Sequence, residues 1–171
     1  MFEFKQAMIV AAGLVALAGC GRSMPPAADT AADEAAIRAI NPAWFKAYNA
    51  GDADGIVALY AEDAILNAPG AAPARGHAAI RDYLAKDIAA SAAGGITFNG
   101  GANPEFGVSG ELGWEWNTFT VTDKAGAAVD TGKYVTVYGR KDGKWFIIRD
   151  IWNSDAAPAA AAPAAATPPA G

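Results

Sequence analysis

Two hydrophobic periods divide the chain. From Thr30 to about Ala90 apolar residues recur every three or four positions, with Ile37, Ile40, Trp44 and Tyr48 on one stripe, Ile56, Val57, Leu59 and Tyr60 on a second, and Ile80, Leu84 and Ile88 on a third. That spacing puts side chains on one buried face of a helix. Thr30-Ala-Ala-Asp33 approximates a capping box at the start of the first stripe, with Asp33 where Glu or Gln is usual. Pro42 falls inside the same stripe and predicts a kink or division near Arg38 to Asn41, because its ring removes a hydrogen bond and crowds the preceding turn. Gly51 is the natural left-handed stop, Asp52 caps a shorter second helix, and a third helix is expected from about His77 to Ala90. Ile65-Leu66-Asn67 reads as a short strand halted by Pro69-Gly70.

After Gly94-Gly95 the period falls to two. Strands are expected at Ile96 to Phe98 with a loose continuation to Val108, at Leu112 to Thr122, at Ala128 to Arg140 and at Lys144 to Asn153. Turn signals at Ser109-Gly110-Glu111, Asp123 to Gly126 and Asp142-Gly143 separate them. Helices first and antiparallel strands afterwards make an α+β domain, about three helices packed on one face of a curved sheet. In the last hairpin Asp142-Gly143 supplies the positive φ that a two-residue loop needs. With Lys141 opposite Lys144, counting back pairs Val137 with Ile148, Val135 with Asp150 and Lys133 with Trp152 on one face, and sends Tyr134, Thr136 and Tyr138 to the other with Ile147, Arg149 and Ile151. A carboxylate amid Val, Ile and Trp needs a partner or a purpose.

Composition changes this picture mainly at the ends. Of 171 residues, 53% are hydrophobic, but Ala and Gly inflate that share and the foldable domain is 33–155. Residues 1–19 read as an export signal, with Lys5 ahead of an apolar run from Ala7 to Leu17 that is too short to span a membrane stably. Leu17-Ala-Gly-Cys20 resembles the lipobox of bacterial lipoproteins, which makes Cys20 the lipidated first residue of the mature chain and accounts for the sole cysteine. Residues 20–32, with Pro25-Pro26, then form a tether, and 156–171, composed of Ala, Pro, Thr and Gly alone, form a low-complexity tail. The expected address is the cell envelope on its periplasmic side; Gly21 is no retention signal, which leaves an outer-membrane address open in a host that has one. A net charge of −5 with no basic cluster excludes nucleic acid as a partner. One histidine, His77, at the surface start of the third helix, and one lipidated cysteine leave no tight metal site, and no phosphate loop or other cofactor motif is present.

Trp44-Phe-Lys-Ala-Tyr-Asn-Ala-Gly-Asp52, Leu59-Tyr-Ala-Glu-Asp-Ala64, Arg75-Gly-His-Ala-Ala-Ile80, Gly132-Lys-Tyr-Val-Thr-Val137 and Asp142-Gly-Lys-Trp145 running on to Asp150 together resemble, in order and spacing, the nuclear-transport-factor-2-like superfamily and its SnoaL-like and lipoprotein members. The resemblance implies a cone-shaped fold with a deep, mostly apolar pocket between the helices and the concave sheet. Many members pair as dimers through the outer sheet face, an assembly also open to this chain. Ketosteroid isomerase shares the fold, but its tyrosine donor falls at Trp44, its base aspartate at Ala68 and its second acid at Val135, none of which can do that chemistry.

Asp150 is therefore the candidate general acid or base, with Lys133 as the diagonal cation; the alternative is a structural carboxylate, either ion-paired or bonded to backbone amides or polar groups of the first helix. Trp44, Tyr60, Val135, Ile148 and Trp152 are the candidate pocket lining. Trp114 and Trp116 alternate with Glu115 and Asn117, and the isomerase alignment turns the tryptophans inward, adding Trp116. Three functions follow: binding of a small apolar molecule, an isomerase, cyclase or hydro-lyase using Asp150, or a partner-binding module whose outer face presents Tyr134, Tyr138 and Ile147.

Overall fold

The computed structural model describes residues 30–156. The expected signal peptide, Cys20, most of the tether and nearly all of the tail lie outside the described residues; the last tether residues, from Thr30, are already helical.

Pro42 divides the first helix as its ring chemistry predicts. Helix α1 spans Thr30–Arg38 and α2 spans Ile40–Asn49, so that Pro42 sits in the first turn of α2, where an N–H has no helical partner to lose. Gly51 takes a φ of 80°, and the Asp52 carboxylate accepts the Gly55 amide at 2.8 Å to cap α3, Ala53–Val57. Helix α4, Gly76–Gly94, is longer than its apolar stripe because the alanine-rich run from Ala89 to Ala93 has high helix propensity and continues it until Gly95 turns left-handed. The Asp33 carboxylate serves the sheet, accepting Trp145 Nε1 at 3.0 Å and the Arg140 guanidinium at 3.1 Å, and so fastens α1 to the end of the last hairpin.

The seven strands are β1 Tyr60–Asn67, β2 Ala74–Arg75, β3 Thr97–Gly100, β4 Glu105–Ser109, β5 Leu112–Thr122, β6 Ala128–Lys141 and β7 Lys144–Ser154. Their order is β2-β1-β7-β6-β5-β3, with β4 also pairing β5, so β3 and β4 lie in tandem along one edge of β5. All pairs are antiparallel except β1 with β7. Strand β1 is longer than the expected Ile65 to Asn67. It begins at Tyr60, where the Leu59 carbonyl accepts the Ile147 amide at 2.9 Å, so Tyr60 leaves the second helix for the sheet. The core fills the space between helices and sheet, with Ile37, Ile56, Ile80, Leu84 and Ile147 fully buried.

The last hairpin turns where expected, with Asp142 at φ 51° and Gly143 at 76°. Its pairing then slips. Tyr138 opposes Ile147 but Val137 opposes Arg149, so Ile148 is an unpaired bulge and every later residue changes partner: Thr136 faces Asp150, Tyr134 faces Trp152 and Lys133 faces Asn153. Parity decides the rest. Tyr134, Thr136 and Tyr138 are buried on the concave side, and Val135 is turned out. Tyr134, Tyr138 and Ile147 therefore cannot present the outer face. That face instead carries Leu112, Trp114, Trp116, Val135 and Ile151, with Trp116, Val135 and Ile151 abreast on adjacent strands.

Candidate functional site

The concave side encloses a cavity of about 250 Å³. Helix α2 contributes Asn41, Trp44, Phe45 and Tyr48, and α4 contributes Tyr83 and Asp87. The strands contribute Phe98, Phe119, Tyr134, Thr136, Asp150 and Trp152. Trp44 stacks on Tyr48 with ring centroids 5.1 Å apart, and Tyr83 meets Trp152 edge-on at 6.0 Å. A second cavity of about 330 Å³ shares Asn41, Phe45, Phe98 and Tyr134 with the first and reaches Glu115 and Asn117.

Asp150 is 7% exposed and takes neutral donors throughout. Tyr60 donates to it at 2.6 Å, Thr136 at 3.3 Å, and the Ile151 backbone amide adds a third bond. Trp44 Nε1 in turn donates to the Tyr60 hydroxyl at 3.1 Å; an indole N–H can only donate, so the direction of the relay from Trp44 through Tyr60 to Asp150 is fixed. Burial pushes the Asp150 carboxyl up to about 6, the Glu115 charge adds to the rise, and the three bonds hold it from going further. Tyr60 is pushed well above its ordinary value, first by burial and then by the Asp150 charge, so it stays a donor.

A matching arrangement surrounds Glu115. Tyr134 donates to it at 2.7 Å and Tyr138 at 3.0 Å, while Asn41 donates to the Tyr138 hydroxyl at 2.9 Å. Burial and the Glu115 carboxylate raise both tyrosines. At the cavity's other side Tyr48 donates to Asp87 and shares a 2.9 Å bond with Ser91.

Trp44, Asp150 and Trp152 thus line one cavity, and Tyr60 lies behind Asp150, 1% exposed. Lys133 does not join them. The bulge sets Asp150 on the face opposite Lys133, which is exposed and pairs with Asp155, so among the described residues Asp150 has no ion pair and the expected one is not formed. Val135, 38% exposed, and Trp116, 36% exposed, are on the outer face. Val135 is there because β6 alternates with Tyr134 and Thr136 inward, and the bulge in β7 brings Asp150 to their face instead of to Val135's. Trp116 goes there because the inward positions of β5 are Gly113, Glu115, Asn117, Phe119 and Val121, and the two polar ones among them find partners inside. Gly113 belongs inward because a Cβ there would come within 2.5 Å of Ile37. Ile148, at the bulge, packs beside Gly139 rather than in the cavity. Ala68 does not line the cavity either. His77 is half-buried, its Nε2 2.9 Å from the Tyr60 carbonyl, a tie between α4 and β1.

Sequence reasoning missed Glu115, Asn41, Tyr134 and Tyr138. Glu115 carried a signal like that of Asp150, an acid within a largely apolar strand, and the apolar weight of Trp114 and Trp116 on either side masked it.

A sequence model described as the SnoaL-like domain matches residues 42–148. Solved structures share the fold. An NTF2-like protein with a cystatin-like fold from Novosphingobium aromaticivorans superposes with a TM-score of 0.65 at 22% identity, covering 71% of this chain and 80% of that one. A protein of unknown function from Mycobacterium tuberculosis gives 0.64 at 22% identity over 78% of each chain. An NTF2-like protein of unknown function from Pseudomonas putida gives 0.64 at 22% identity, over 71% of this chain and 86% of its own.

Proposed function

The chain belongs to the SnoaL-like domain family, and from that premise we propose that its cone binds one small, flat, largely apolar molecule whose polar group meets Asp150. The observation that carries this reading is a buried carboxylate, held by neutral donors alone, in an aromatic-walled cavity. Sites for drug-sized molecules occupy about 300–1,000 Å³, so a cavity of about 250 Å³ suits a compact ligand.

A second reading rests on the same acid. A carboxyl titrating near 6 is suited to take a proton at neutral pH and return it, the property of a general base. In this reading Asp150 removes a proton from the carbon beside a carbonyl and gives back one exchanged with solvent. One probe separates the two. 2-Tetralone is flat, carries a single carbonyl and has exchangeable hydrogens beside it. Calorimetry on the wild-type chain is expected to show saturable binding, weakened about tenfold, or 1.4 kcal/mol, by Trp152→Ala; no binding by the folded chain would remove the pocket reading. If deuterium uptake from D₂O into bound 2-tetralone runs no faster with wild type than with Asp150→Asn, the proton-transfer reading fails while binding stands.

The proposal extends to location. Acyl chains on Cys20 hold the domain at the periplasmic side of the envelope, each buried CH₂ contributing about 0.8 kcal/mol and two or more chains giving stable anchoring.

A further inference from the structure

The walls of the cavity that Asp150 lines combine two properties that ordinarily occur apart. They are aromatic on opposite sides, with Trp44 and Tyr48 stacked on α2, Phe98 and Phe119 on the strands, and Trp152 beside Tyr83. They are also one-sidedly acidic. Asp87 and Asp150 both line the cavity and no Lys or Arg does. The ion pairs of the described residues, Arg38–Glu34, Arg81–Asp54, Lys133–Asp155 and Arg140–Asp33, involve neither acid. Asp150 accepts from Tyr60, Thr136 and a backbone amide, and Asp87 from Tyr48. A third carboxylate, Glu115, adds negative charge on the far side of Tyr134.

A buried carboxylate without counter-charge, as Asp150 is, is unfavourable, and a fold that only packed apolar groups here would gain by omitting it and the half-buried Asp87. The same charges become favourable once a cation enters. Ring faces present negative potential, so a positive group among Trp44, Tyr48 and Trp152 is attracted by the walls as well as by the two acids. We propose that the cavity is a site for an organic cation, a small amine or quaternary ammonium on a flat apolar frame. The inference rests on the pocket reading above and narrows it to a ligand class.

The test uses two probes of nearly the same shape that differ by one charge, (3-hydroxyphenyl)trimethylammonium and 3-tert-butylphenol. Each is titrated calorimetrically into the full chain at pH 7.5 and low salt. The cation is expected to bind at least tenfold more tightly than its neutral counterpart, and Asp87→Asn with Asp150→Asn together should reduce the ratio below threefold. Equal or tighter binding of 3-tert-butylphenol by wild type would overturn the cation inference and leave the pocket intact. Binding of neither probe by the folded chain would overturn both.

Discussion

Asp150 is a carboxylate whose every bond comes from a neutral group, and its acidity follows from that. The groups facing it are Tyr60 from β1, Tyr134, Thr136 and Tyr138 from β6, Glu115 from β5 and Trp44 behind Tyr60, none of them cationic. Its folded value of about 6 lies above the ordinary 3.8, so the native state binds more protons than the unfolded chain between those values. The associated stabilisation is complete below about pH 4 and is lost as pH rises through 6. At roughly 1.36 kcal/mol per pKa unit it amounts to about 3 kcal/mol. Asp150→Asn keeps an oxygen for the Tyr60 hydroxyl and removes the titration. Urea unfolding is therefore expected to show wild type losing about 3 kcal/mol relative to Asp150→Asn between pH 4 and 8. A difference that stays flat across that range would contradict the account.

Among the elements, α1 is seated by the fully buried Ile37 and by one polar side chain, Asp33. Asp33 is 6% exposed and joins Trp145 and Arg140 at the hairpin end. Asp33→Ala leaves an indole N–H and a partly buried guanidinium without their acceptor and is expected to cost about 2–3 kcal/mol in urea unfolding, with Asp33→Asn costing about half. A loss under about 0.5 kcal/mol for the alanine variant would mean that α1 is held by its apolar face alone. The helices, the Pro42 division, the Gly51 stop and the Asp142-Gly143 turn were legible because each follows from local backbone chemistry. The face of the last strand was not. Phe146, Ile147 and Ile148 are consecutive apolar residues, and periodicity cannot say which of them pairing will skip. Asp150 lines the cavity, in different company from that which uninterrupted pairing gives it. The inward turn of Glu115 was hidden for a related reason: hydrophobicity ranks Trp116 above it, and its phenol partners, Tyr134 and Tyr138, stand on another strand.

At the scale of the molecule, one sheet face is packed and the other is uncovered among the described residues. Trp116, Val135 and Ile151 lie side by side at 36%, 38% and 53% exposure, with Trp114 and Leu112 beyond. We propose that this contiguous apolar surface is an association site; pairing through it would leave the cavity on the opposite side clear. The expectation is a membrane-anchored homodimer. Cys20→Ser should move the protein from the membrane fraction to the soluble one, light scattering should then give twice the chain mass, and adding Trp116→Glu should halve it. Persistence in the membrane fraction would refute the anchor, and a soluble monomer before the second substitution would refute the dimer.

The bulge gives the last strand a choice of phase. In the uninterrupted phase Ile151 would lie beside Tyr134 and Arg149 beside Thr136, sending Asp150 and Trp152 into solvent. That arrangement would bury Ile151, but it would also set Arg149 at the buried position beside Thr136 and give up the packing of Trp152. The native phase is held by the skipped residue. Deleting Ile148 would abolish the choice, because the shortened strand alternates without a break and regular pairing with β6 delivers Asp150 and Trp152 to the cavity by default. Loss of one residue there would thus leave the site in place and remove the competing fold.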